Sequence, residues 1–81
     1  MKVADLISQR MPEWRELERD VIAMKSRRAA RDPRQVVEFA RRYRAVCSDL
    51  ALAMSMKFPG STVQYLHQLV AESHACLYRA E

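Results

Sequence analysis

The stretch from Asp32 to Phe58, DPRQVVEFARRYRAVCSDLALAMSMKF, decides the fold. Val36, Ala40, Tyr43, Cys47, Leu50 and Met54 recur at steps of four and three, which sets them on one stripe of a helix. Phe39, Val46 and Ala53 widen that stripe on one side. An apolar arc this broad has to be covered by other helices. The stretch opens on a start signal. Asp32 can cap, Pro33 suits the first helical position, and Gln35 stands three residues after the cap.

Working outward, the residues upstream form a second stripe. Trp14, Leu17, Val21 and Met24 are spaced for one helix face, and a helix is expected from about Pro12 to Ser26 or Arg28. Val3, Leu6 and Ile7 predict a separate short helix before it, ending near Arg10. A residue preceding proline avoids the helical region, so Met11 is expected at a kink or turn. Downstream, Pro59-Gly60 closes the central helix, and Ser61-Thr62-Val63-Gln64 repeats the capping logic. Val63, Leu66, Leu69, Val70, Ser73 and Leu77 then line one face of a last helix. The short connection makes the last two helices antiparallel neighbours. The expected fold is all-α: an up-and-down bundle of three main helices plus a short N-terminal one, in a single domain spanning residues 1–81.

Composition agrees. One Gly and three Pro among 81 residues, with 49% hydrophobic side chains, favour helix over disorder. The net charge of +4 is unevenly placed: residues 1–44 hold twelve Lys or Arg against seven Asp or Glu, and the remainder two against three. Such a basic half can face phosphate of nucleic acid or of anionic lipid. Cys47 and Cys76 lack metal-ligand spacing and read as small apolar residues with free thiols. No apolar run approaches the roughly 20 residues of a spanning helix.

Three groups of residues invite a chemical reading. His67, His74, Cys47 and Cys76 are too dispersed to converge on a metal without tertiary help, so no metal or cofactor is expected. His74 and Tyr78 are four apart and, with Asp49, could do acid–base work. The preferred reading is a polar seam in which Asp49, His74 and Tyr78 satisfy one another between the last two helices. A bundle this small leaves little room for a substrate pocket, and no catalytic residue is assigned. The third group is a basic contact surface of Arg27, Arg28, Arg31, Arg34, Arg41 and Arg44. Glu38 is placed to pair with Arg41 or Arg42.

Three stretches resemble one family. Arg10-Met11-Pro12-Glu13-Trp14 with Leu17-Glu18 is similar to the Arg-x-Pro-x-Trp-x-x-Leu-Glu opening of the stage II sporulation protein M-like membrane proteins. Tyr43-Arg44 followed by Ser48-Asp49-Leu50-Ala51 resembles their central helix. Tyr65-Leu66-His67-x-Leu69-Val70, then His74 and Leu77-Tyr78, resembles their third segment. The departures are His67, where Asn is common, and Leu6, where Phe is common. The resemblance implies a cytosolic N-terminal region followed by transmembrane helices, in a protein of the bacterial inner membrane. In the sporulation members the whole protein takes part in a membrane complex that remodels peptidoglycan. The function expected is therefore a non-enzymatic helical interaction module on the cytoplasmic side of a multi-spanning membrane protein. Its expected partner is a protein or a second copy, with an anionic membrane surface as a further candidate. The alternative is a small basic nucleic-acid-binding domain, which ranks below these.

Overall fold

The structure, a computed structural model, describes residues 2–26 and 32–78. Among them are three helices and no strand: α1 (Val3–Lys25), α2 (Pro33–Ser55) and α3 (Gly60–Leu77). They alternate in direction and pack pairwise into a bundle measuring 40 × 20 × 16 Å.

The separate N-terminal helix is not present, and Met11 is helical. α1 runs unbroken through Pro12. Proline lacks one N–H and so removes one rung of the helix, but its fixed φ is itself helical. Pro12 and Ser8, whose carbonyl loses its partner, are both on the exposed side. The opposite side carries one continuous stripe. Val3, Ile7, Arg10, Trp14, Leu17, Val21 and Met24 follow steps of four and three with no change of phase at the proline. Burial along that whole stripe outweighs the single missing hydrogen bond.

Asp32 caps α2 as expected: its Oδ1 accepts from Arg34 N at 3.0 Å, and Pro33 opens the helix. The buried face of α2 is centred on Phe39, Val46, Leu50 and Ala53. Those residues form the centre of the apolar arc rather than its edge, which rotates Met54 out to 52% exposure. Trp14, Leu17 and Val21 from α1 and Leu66 and Leu69 from α3 complete the core, with Val63, Val70 and Leu77 packed against it. Ser73 is fully buried, and its hydroxyl donates to Leu69 O at 2.7 Å, so no polar atom there is left open.

The turn between α2 and α3 is tighter than the Pro59-Gly60 pair suggested. Lys57 takes the left-handed conformation at φ 57°, and Phe58 N donates to Ala53 O at 2.9 Å. This six-to-one bond is the Schellman closure, with Phe58 buried against the core. Pro59 then acts as the N-cap of α3, its carbonyl accepting from Thr62 N and Val63 N at 3.0 and 3.1 Å. The Ser61 capping box is therefore not formed, because the helix starts before it, and no side chain caps α3.

Candidate functional site

One polar group centres on the carboxylate of Asp49. Its Oδ2 accepts from Trp14 Nε1 at 2.8 Å and from Arg10 Nε at 2.9 Å. The Arg10 bond is charge-assisted, and Asp49 is only 14% exposed, so it acts in a partly desolvated place. Arg10 sits on the buried stripe of α1 between Ile7 and Trp14, and Asp49 supplies the opposite charge that position needs. Trp14 also meets Tyr65 of α3 at a ring-centroid distance of 6.2 Å. Tyr65 Oη donates in turn to Glu18 Oε1 at 2.9 Å. Burial and that hydrogen bond push the Tyr65 phenol up to about 12, because ionisation would place an anion in a desolvated site beside a carboxylate.

The predicted seam is divided by this arrangement. Asp49 faces α1, whereas His74 and Tyr78 pack on each other on α3 at 4.6 Å, with Tyr43 of α2 at 6.2 Å from His74. Asp49 stands on the α1 side of α2 and Tyr43 on the α3 side, so helix geometry separates Asp49 from His74 and Tyr78, which stay together. His74 and Tyr78 are exposed. Tyr43 is half-buried, and burial followed by its hydrogen bond with Cys47 raises its pKa.

A second polar group centres on Arg42. Its Nη1 donates to Asp20 Oδ2 at 2.9 Å, with Glu38 Oε2 and Glu13 Oε1 at 3.9 and 4.0 Å. Its Nε is buried without a hydrogen-bond partner among the described residues. The hydrogen bond to Asp20 leads the forces that raise the Arg42 pKa. Glu38 also accepts from Arg41 Nε at 2.9 Å, which holds its carboxyl below the usual range. Beside this group is a cleft of about 480 Å³ lined by Asp20, Met24, Arg34, Glu38, Phe39 and Arg42, acids and bases in equal number.

Of the predicted basic surface, Arg34 and Arg44 are exposed and Arg41 is tied to Glu38. Arg27, Arg28 and Arg31 lie outside the described residues. His67 and His74 are exposed, Cys47 and Cys76 are half-buried free thiols, and no cluster of three metal-ligating side chains occurs among the described residues. No described helix is long and apolar enough to cross a membrane. Sequence reasoning missed the Arg10–Asp49–Trp14 cluster. The available signal was a charged residue at a core position of the α1 stripe, which calls for a counter-charge on a facing helix.

These features define a small three-helix bundle whose helices are joined by hydrogen bonds to shared carboxylates. The chain belongs to the family described as a domain of unknown function (DUF8413), whose model matches residues 4–79. No curated protein and no solved structure matches it.

Proposed function

We propose that the chain is a non-enzymatic helical interaction module on the cytoplasmic side of a bacterial multi-spanning membrane protein, of the kind resembling stage II sporulation protein M. One observation carries this reading. The three stretches that bear the resemblance are far apart in sequence, yet their polar residues meet: Arg10 and Trp14 bond to Asp49, and Tyr65 reaches back to Trp14 and Glu18. Residues that recur together in a pattern because they hold one fold are expected to touch in this way. The same contacts occupy the Asp49 carboxylate, so its chemistry here is structural. The surplus of arginine accords with the cytoplasmic side of a membrane.

The nucleic-acid alternative draws less support from the geometry. Arg41 and Arg42, in the middle of the basic stretch, have carboxylate partners, and their charge is largely spent within the protein. The test of the membrane reading is the reading frame beyond Glu81 together with fractionation of its product. Apolar runs of about 20 residues and retention in alkali-washed membranes support it. A stop codon at that point with a wholly soluble product overturns it.

A further inference from the structure

α3 differs from the other two helices in charge. Among its 18 residues there is one acid, Glu72, and no Lys or Arg. Over 23 residues each, α1 holds nine such charges and α2 holds six. The difference persists on the outer surface. The exposed side of α1 carries Arg15, Glu18 and Arg19, and that of α2 carries Arg41 and Arg44. On α3 the exposed side chains from Gln64 to Tyr78 are all uncharged amides, alanines, histidines and a tyrosine. Glu72 is half-buried and stands two turns after Tyr65, on the side toward α1. The outer face of a helix in a small bundle is ordinarily charged. Depletion of charge is the compositional mark of the centre of an interface.

Spacing on the same face is regular. Gln64, Gln68, Ala71, Ala75 and Tyr78 follow steps of four, three, four and three, which is the spacing of a seam between two helices. The seam lies on the side of α3 away from the buried Leu66, Leu69 and Ser73. Ala71 and Ala75 let a second helix axis approach to about 8 Å. Tyr78, 67% exposed, is the large side chain the seam offers. A charged surface pressed onto it would lose water and find no counter-charge, so the matching surface is neutral as well. A second copy of α3 is such a surface. A glutamine amide both donates and accepts, so Gln64 and Gln68 can pair with the amides of an identical chain across a two-fold axis, which like charges cannot do. We infer that the outward face of α3 is a homodimer interface, in which two copies lay α3 against α3 in opposite directions. Ala71 is the middle of the five residues, so it meets Ala71 of the copy, and Tyr78 covers the copy's Gln64. A pair of 18-residue helices is about 27 Å long and buries less than the roughly 1,200 Å² of a standard interface. The dimer is therefore a weak one, with a dissociation constant on the order of 0.1 mM. The inference gives the interaction module its partner and surface, and rests on the membrane reading only for its setting, where confinement to one membrane raises the effective concentration.

The experiment is sedimentation equilibrium of the 81-residue chain from about 10 μM to 1 mM, a range that brackets the expected constant. A reducing agent keeps Cys47 and Cys76 from forming a disulfide between copies. The apparent mass is expected to rise from 9.4 kDa toward twice that value, and to do so equally at low and high salt because the seam is uncharged. Gln68→Glu with Ala71→Glu places like charges across the axis and should weaken association about tenfold or more. Tyr78→Ser should weaken it as well, and its exposed position makes it the variant least able to disturb the fold. Ser48→Glu with Ala51→Glu, on the exposed face of α2, makes the same change in net charge and should associate like the parent. Circular dichroism checks that every variant is folded. A parent that stays monomeric, an equal loss from the α2 variant, or association that salt abolishes would overturn the inference. A monomeric chain whose full-length product is integral to membranes removes this surface and leaves the membrane reading standing. A dimer formed through α3 by a product with no spanning segments does the reverse.

Discussion

The indole N–H of Trp14 donates to Asp49 Oδ2 at 2.8 Å, tying the largest fully buried side chain of the protein to a carboxylate on the facing helix. The same oxygen accepts from the half-buried Arg10, so one atom holds both donors of α1. A carboxylate in that position is demanded by α1 and supplied by α2.

Asp49→Ala leaves both donors open and should destabilise the bundle by about 2–4 kcal/mol. Asp49→Asn keeps an acceptor for the indole and loses the charge, so about 1–2 kcal/mol is expected. Urea unfolding followed by the fluorescence of Trp14, the one tryptophan in the chain, measures both. Equal effects of the two substitutions would show that the Arg10 charge, not the indole, sets the requirement.

Pro12 lies in the interior of α1 and is exposed. Pro12→Ala restores a backbone donor to Ser8 and should stabilise the protein by about 1–3 kcal/mol. A proline at the first position of a separate helix would give no such gain, so thermal unfolding of this variant distinguishes one continuous helix from two.

Lys57 adopts a left-handed backbone without being glycine. Lys57→Gly should therefore raise stability by up to about 1 kcal/mol. Gly60 has no positive φ, and a Cβ built there meets nothing within 4 Å. Gly60→Ala is expected to be tolerated, and denaturant midpoints of the two variants should move accordingly.

The Tyr65 phenol is raised by burial and by its bond to Glu18 to about 12, above an unfolded value of about 10. A group raised in the folded state adds stability that is complete below the unfolded value and is lost as pH climbs through the folded one. The bundle should weaken between about pH 10 and 12, and Tyr65→Phe should flatten that decline. Stability measured across alkaline pH in both proteins checks the sign.

Much of the architecture is local chemistry, and the sequence carries it openly. The Trp14-Leu17-Val21 and Leu66-Leu69-Ser73 stripes and the Asp32-Pro33 start are each written within a few residues, because helix periodicity and capping depend on near neighbours. The same locality misleads at Pro12, where a rule about one peptide unit has to be weighed against burial along the whole of α1. It misleads again at Ser61, where the turn closes earlier through Lys57 and Phe58.

What only the tertiary structure decided is which faces meet. Asp49 and His74 are both near the margins of apolar stripes, and nothing local says that Asp49 turns toward Arg10 and Trp14 while His74 turns toward Tyr43 and Tyr78. That choice depends on the rotation of α2 about its axis, which the packing of Phe39, Val46, Leu50 and Ala53 between two other helices sets. The exposure of Ile22, Val37 and Tyr78 has the same origin. Periodicity determines that helices form and what they bury, whereas the pairing of polar groups and the position of the leftover apolar surface follow from how the helices are placed against one another.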